Sequence, residues 1–320
     1  MRGQALWYVA AGRAELREAE AADPRPDEVR VRALHGAISR GTESLVFNAR
    51  VPESEHERMR GPSMGGSFPF PVKYGYATVG EIEAGTARGR RVFALHPHQT
   101  HFTLPASAVV PVPDDVPAAR AILAANMETA LNAVWDGAPA PADRIAVVGA
   151  GVVGALVAWL CAGLRGAEVT LVDIDPSRAI LAKTLGVAFA LPAAAPRECD
   201  VVFHASGNGA GLATALACAG DEGKVVELSW YGAGDVTLPL GGAFHSRRLT
   251  IVSSQVGKVA PSHRARWPFA RRLTAALALL NDERLDALLA PPVRFSDLPK
   301  ELPRILSPGS GILCQRIDYI

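Results

Sequence analysis

The sequence predicts an α/β protein made of a mostly β domain and a domain with a doubly wound parallel sheet. Three observations point there. Short alternating segments broken by Gly and Pro fill the first third of the chain. Strands and helices then alternate from Arg144 to about Gln255, and a glycine-rich turn joins the first strand of that series to its helix. A length of 320 residues is comfortable for two domains.

From Glu28 to Leu34, Val29, Val31 and Ala33 alternate with Arg30 and Arg32, the period of a half-buried strand. Further strands are predicted over 77–82, 91–95 and 101–104, with glycine-rich turns at 61–66 and 85–89. Helix is favoured over 118–135. Beyond it come a strand at 145–148, a helix at 152–164, a strand at 168–172 and a helix at 176–185 with Asp175 as its N-cap. Strands follow at 201–204, 224–228 and 249–252, and a last helix at 267–280. The expected domains are 1–130 completed by 256–320, and 131–255.

Thirty-three basic and 32 acidic side chains leave a formal charge of +1, so no field draws the chain to nucleic acid or an anionic membrane. The most apolar stretch, 145–164, contains the glycine turn and reads as a buried strand and helix rather than a membrane span. No apolar run follows Arg2, and Cys161, Cys199, Cys218 and Cys314 are too dispersed for a zinc or redox pair. A cytoplasmic protein with reduced thiols is expected.

The turn reads Gly149-Ala150-Gly151-Val152-Val153-Gly154, between the apolar run 145–148 and a helical segment. This is the context of a Rossmann fingerprint: the first glycine permits a tight turn, the second lets a pyrophosphate approach the backbone, and the third allows close helix packing. Asp173 ends the next strand, 19 residues past Gly154, where a carboxylate accepts bonds from ribose hydroxyls. A 2′-phosphate at ~4 Å from it costs about 4 kcal/mol per pair of unit charges at an effective dielectric near 20. NAD(H) is therefore the expected cofactor and NADP(H) the less favoured one. Arg178 stands where it reaches a ribose, an adenine or a phosphate equally.

The order of these parts resembles the medium-chain dehydrogenase/reductase superfamily, the relatives of zinc alcohol dehydrogenases and quinone reductases. The likeness is carried by Pro26-Asp27-Glu28-Val29-Arg30-Val31, by Tyr74-Gly75-Tyr76-Ala77-Thr78-Val79-Gly80, by Gly89-Arg90-Arg91-Val92, and by Val172-Asp173-Ile174-Asp175-Pro176-Ser177-Arg178 followed by Ala182-Lys183-Thr184-Leu185-Gly186. Asp200-Val201-Val202-Phe203 with Ala205-Ser206-Gly207 matches the next strand and turn. Within the superfamily, Ile38-Ser39-Arg40-Gly41-Thr42-Glu43 and the Gly75-Tyr76 pair look closest to the bacteriochlorophyllide hydroxyethyl dehydrogenase branch. The resemblance implies a GroES-like catalytic domain beside the Rossmann domain, a small-molecule substrate and a homodimer. It also implies cofactor contacts from Ser206 and from a basic residue at Arg247 or Arg248, here assigned to Arg248.

The family's zinc ligands are replaced. Ser39, Tyr76 and Thr129 stand at those places, and neutral hydroxyls substitute poorly for thiolate and imidazole. No zinc is expected. Another donor must then stabilise the charge developing on the reacting oxygen and quench it with a proton. Tyr76 is the first candidate, acidified by Lys73, with Ser39, Thr42 and Glu128 as relay. His96, His98 and His101 form the single histidine cluster, readable as a metal site, a substrate contact or a solvent-facing loop. His35 and His204 end apolar strands as core histidines, and His204 is within range of the cofactor edge. The basic run Lys258–Arg272 reads as a solvated helix face or as the partner of an acidic substrate. The leading expectation is a zinc-independent NAD(H) oxidoreductase acting on an alcohol/carbonyl pair. The alternatives are a zinc enzyme with rearranged ligands, such as His96, His98 or Glu128, and a dinucleotide-binding protein without catalysis.

Overall fold

The computed structural model describes residues 1–319 and divides the chain into two compact units, Met1–Ala125 with Leu273–Ile320, and Asn126–Arg272. The first unit begins with a hairpin of β1 (Arg2–Ala10) and β2 (Arg13–Glu20), followed by β3 (Glu28–Ile38) and helix α1 (Arg40–Phe47). Short strands β4 (Gly65–Gly66) and β5 (Val72–Lys73) join the hairpin in a sheet of order β2-β1-β5-β4. Strands β6 (Thr78–Gly85), β7 (Arg91–Ala94), β8 (His101–Pro105) and β9 (Val109–Pro111) build a second sheet around β3, and helix α2 (Ala118–Ala121) follows. Val29, Val31 and Ala33 of β3 turn inward onto Ile82, Val92, Ala94 and Phe102, as their alternation predicts.

The second unit opens along α3 (Ala124–Gly137) and contains a six-stranded parallel sheet. Its elements are β10 (Arg144–Val148), α4 (Val152–Ala162), β11 (Glu168–Val172), α5 (Arg178–Leu185), β12 (Ala188–Ala190) and β13 (Cys199–His204). They continue with α6 (Gly209–Cys218), β14 (Ala219–Glu227) and β15 (Thr250–Ser253), and α7 (Phe269–Ala278) leads back into the first unit. The order β12-β11-β10-β13-β14-β15 places the strand before the glycine turn in the middle. Ile145 to Val148 are all buried, as expected for a parallel strand covered on both faces. Beneath α6, Leu212, Ala215 and Leu216 pack on Ala146, Val202 and Val225.

The chain then returns to the first unit with β16 (Leu289–Arg294), α8 (Leu298–Ile305) and β17 (Cys314–Asp318). β17 pairs antiparallel with β3, matching Gln315 to Ile38 and Asp318 to His35. Arg40 ties this segment to α1 by donating to the carbonyls of Ile305 (2.8 Å), Ile312 (2.5 Å) and Ser307 (3.0 Å).

Several local readings need correction. The helical region from Ala118 is broken between α2 and α3 at Ile122–Leu123. Helix α5 starts at Arg178, not Pro176, because Asp175 accepts the Ser177 amide (2.9 Å) in a turn that precedes the helix. The units divide after Ala125 and Arg272 rather than after 130 and 255. Arg272 accounts for the second shift. It is fully buried in the second unit, donating to Glu128 (3.0 Å), Asn132 (2.6 Å) and the Val256 carbonyl (2.5 Å), so the segment before it is held against α3.

Arg272→Leu leaves Glu128 buried without a counter-charge, and we expect a loss of about 3–5 kcal/mol in urea unfolding. Glu128→Leu/Arg272→Leu recovers part of that loss. A second test concerns the turn after β10. A Cβ on residue 154 would lie 1.9 Å from the Gly149 carbonyl oxygen. Gly154→Ala therefore lowers stability by about 3 kcal/mol, read as a drop in Tm.

Candidate functional site

In the second unit the glycine turn leaves β10 at Val148 and enters α4 at Val152, with Gly151 in the cap position. Gly149 has a φ of +109°, and a Cβ there would meet the Ser206 amide at 2.6 Å. Only glycine fits that position. The first amides of α4, those of Val152, Val153 and Gly154, have no partners within the helix and carry the positive end of its dipole. Nothing lies within 4 Å of a Cβ built on Gly151, so the approach to the backbone is open. Asp173 follows β11 directly; its carboxylate accepts the Ala150 amide (2.6 Å) and the Asp175 amide (2.9 Å). Ser206 stands two residues past the end of β13. Asp173, the glycine turn and Ser206 therefore line up at the C-terminal ends of β11, β10 and β13, where doubly wound sheets bind ligands. Arg178 opens α5 and pairs with Asp175 (3.5 Å).

Arg248 does not belong to this group. It precedes β15, and the parallel register aligns Thr250 with Lys224, Val201 and Ile145 at the N-terminal edge of the sheet. The glycine turn is at the other edge, about 13 Å away along the four residues of β15. Arg248 pairs there with Glu222 (3.4 Å), and Arg247 with Glu198 (2.6 Å).

In the first unit Tyr76 donates a short hydrogen bond to Ser39 Oγ, and Thr42 also bonds to its hydroxyl. Three hydroxyls thus meet at the start of α1. Glu43, one turn into that helix, is fully buried and reaches back to accept the Ser39 amide (2.8 Å). Its other oxygen accepts from Tyr8 (2.5 Å) and from His98 Nε2 (3.0 Å). His98 Nδ1 has no partner among the described residues. The sequence reading gave Glu43 and Tyr8 no role and did not join His98 to them. Their one signal was an acidic residue four positions after Ser39, because the partners are remote in sequence.

The expected acidification of Tyr76 by Lys73 is overturned. Lys73 bonds to Gln99 Oε1 (2.7 Å), and burial lowers its own pKa. Burial raises the Tyr76 phenol above its ordinary value; the Ser39 and Thr42 bonds oppose this and the Glu43 charge adds to it. Tyr76 is therefore a neutral donor at physiological pH. Glu128 is not brought to these hydroxyls by any bond. It is held by Arg272, and burial raises its pKa against that pairing.

The histidine cluster separates. His96 is buried and stacked on Phe102 with ring centres 3.8 Å apart, and burial pushes its pKa down to about 3. His98 belongs to Glu43, and His101 bonds to Thr100 (3.3 Å) beside Glu83 (3.7 Å). This is neither a metal site nor a solvent-facing loop. His35 pairs with Asp318 (2.8 Å), and His204 bonds to Glu227 and Ser206. Among the basic residues from Lys258 to Arg272, Arg272 is buried, Arg271 lies over Trp267 (3.9 Å), and His263 stacks on Trp135 (4.0 Å). Lys258, Arg264 and Arg266 remain exposed.

A catalytic zinc does not fit these donors. Ser39, Tyr76 and Thr129 offer neutral hydroxyls, and no three His, Cys, Asp or Glu side chains are grouped to hold a metal among the described residues. A dinucleotide does fit the second unit, with an open glycine cradle, a helix N-terminus and a carboxylate on one strand edge. No helix among the described residues is long and apolar enough to cross a membrane.

Residues 152–275 match the zinc-binding dehydrogenase family. An uncharacterised zinc-type alcohol dehydrogenase-like protein of Escherichia coli (strain K12) is 29% identical over 141 residues, a match that spans 40% of this chain and 40% of that protein. A putative zinc-binding dehydrogenase from Sinorhizobium meliloti 1021 bound to NADP superposes with a TM-score of 0.79 at 17% identity, covering 99% of each chain. L-Idonate 5-dehydrogenase from Escherichia coli K-12 MG1655 superposes with a TM-score of 0.80 at 15% identity, covering 100% of this chain and 99% of its own. An alcohol dehydrogenase from Escherichia coli CFT073 complexed with NADH reaches 0.77 at 16% identity, covering 99% of each. The chain thus has the fold of these dehydrogenases, a GroES-like β unit and a Rossmann unit in this order, and over residues 152–275 it is similar to the zinc-binding dehydrogenase family.

Proposed function

We propose that the chain is a zinc-independent oxidoreductase that interconverts an alcohol and a carbonyl with NAD(H). The observation that carries this reading is the Asp173 carboxylate, fixed beside the glycine turn by its bond to the Ala150 amide. Gly149, Gly151 and Gly154 with the Val152 and Val153 amides would hold the pyrophosphate. Asp173 would take the adenosine ribose, Arg178 its outer edge, and Ser206 the other half of the cofactor. The dinucleotide, when bound, supplies or accepts a hydride.

The protein's part is to bind a small-molecule substrate and to manage one proton. Tyr76 holds that proton, because burial and Glu43 keep the phenol neutral. In reduction the phenol turns its hydrogen from Ser39 Oγ to the carbonyl oxygen as charge develops there, and Ser39 and Thr42 hold the phenol oxygen in place. A protein of this class is expected in the cytoplasm as a homodimer.

Fluorescence titration should show NADH bound more tightly than NADPH. Asp173→Asn should move the ratio toward NADPH by about tenfold, which corresponds to ~1.4 kcal/mol; an unchanged ratio removes Asp173 from cofactor selection. Tyr76→Phe should lower kcat by about 10²–10⁴ with NADH affinity intact. Because the phenol is raised, reduction should persist through neutral pH and fail only above about pH 10, the ordinary tyrosine value. Glu43→Gln, which removes the charge, should shift that limb downward. About one tightly held zinc per chain, with activity lost to chelator, would replace this reading with a zinc enzyme. NADH binding without turnover of any carbonyl in a broad panel would leave a binding protein.

A further inference from the structure

One polar network at the C-terminal edge of the parallel sheet is not used by the mechanism above. His204, the last residue of β13, is fully buried and pairs in register with Glu227 on β14. Its Nδ1 lies 2.9 and 2.8 Å from the two Glu227 oxygens. Burial pushes the Glu227 carboxyl up, but its bonds with His204, the Ser229 amide (2.6 Å) and the Tyr231 hydroxyl (2.9 Å) outweigh this and hold it below its ordinary value. An ionised carboxylate only accepts, so Nδ1 carries a hydrogen.

On its far side the ring meets Ser206. Nε2 lies 2.6 Å from Ser206 Oγ, and Gly211 of α6 closes over that bond. A Cβ on residue 211 would come within 2.1 Å of the Ser206 oxygen and 2.9 Å of Nε2. A ring whose one hydrogen sits on Nδ1 offers only a lone pair at Nε2. The Ser206 hydroxyl then donates inward to Nε2 at 2.6 Å in preference to the Asn208 carbonyl at 3.4 Å, and its oxygen keeps only acceptor capacity for anything outside. The Asn208 amide uses part of that capacity (3.3 Å).

We infer that Glu227 and His204 are positioning residues that fix Ser206 as a hydrogen-bond acceptor, so that this strand end selects a donor on the bound dinucleotide and repels its phosphate oxygens. The inference rests on the dinucleotide reading above. A cofactor of this class has two such donors outside the adenosine half, the carboxamide N–H of the nicotinamide and the hydroxyls of its ribose. Both present the same chemistry to Ser206.

The test reverses the tautomer while keeping the shape. In Glu227→Gln the Ser229 backbone amide still needs an acceptor, so the amide oxygen takes that side and the NH₂ faces Nδ1. The ring then carries its hydrogen on Nε2, donates to Ser206, and turns the serine hydroxyl outward as a donor. NADH, its 3-acetylpyridine analogue, which lacks the carboxamide N–H, and AMP, which lacks the whole nicotinamide half, are titrated against both proteins. In parallel, ¹⁵N NMR of labelled histidine reads the His204 tautomer. We expect an unprotonated Nε2 in the wild type and a protonated one in the variant, with NADH bound about tenfold more weakly and AMP unchanged. A loss for NADH alone assigns the donor to the carboxamide; equal losses for NADH and the analogue assign it to the ribose. Ser206→Ala should give the same pattern. Equal weakening of AMP, a protonated Nε2 in the wild type, or unchanged NADH affinity overturns the relay alone. No NADH binding by the wild type overturns the function proposed above, and this inference with it.

Discussion

The contact between the Gly149 carbonyl and the face of Gly154 decides where helix α4 begins, and much of the second unit depends on it. With no side chain on either residue, the helix starts directly on the end of β10 and its free amides face the strand edge. The carbonyl of Val172 receives the Gly149 amide (2.8 Å), and Asp173 receives that of Ala150, so the turn is bonded to β11 at two successive residues. On its other side Gly149 touches the Ser206 backbone. Three strand ends are thereby set by one turn. A larger residue within it would separate the carboxylate, the amides and the serine.

Buried charge is handled differently in the two units. Glu43 is surrounded by donors from three places in the first unit: the Ser39 amide, Tyr8 and His98. Arg272 faces acceptors only, two side chains and a carbonyl. A buried charge removed from water costs several kcal/mol unless its bonding capacity is met. These two sites meet it with groups far apart in sequence, so each cross-links its unit. That duty also explains why Glu128 is withdrawn from the relay in which the sequence placed it. A carboxylate already paired to a buried guanidinium is a poor proton shuttle.

What was legible in the sequence depended on distance along the chain. The alternation of β3, the apolar run of β10, the glycine turn and Asp173 are local patterns, and each stands where it was expected. The hairpin partner β2 was not legible. Its residues, Arg13-Ala14-Glu15-Leu16-Arg17-Glu18-Ala19-Glu20, are good helix formers, and only pairing with β1 makes them a strand. Glu43 and His98 are 55 residues apart, and nothing in either neighbourhood announces the other. Arg248 failed for another reason. Sequence order shows that it lies next to the last strand, but only the parallel register shows at which end.

The two units share one device for controlling a hydroxyl. Glu43 bears on Tyr76 through the Ser39 backbone and through its charge, and Glu227 bears on Ser206 through the His204 ring. In both, a carboxylate that meets no ligand itself sets whether an outer oxygen donates or accepts. The outcomes are opposite because the links differ. A negative charge acting across space holds a proton on the phenol, whereas a ring between carboxylate and serine passes on a direction, drawing the serine proton inward. Such control matters because a hydroxyl without a fixed direction offers either role to any ligand. The carboxylates are thus more constrained than the hydroxyls they govern. Either hydroxyl-bearing residue can lose its oxygen and leave the fold intact, but a carboxylate replaced by its amide must break a backbone bond or turn an NH₂ toward groups arranged to donate.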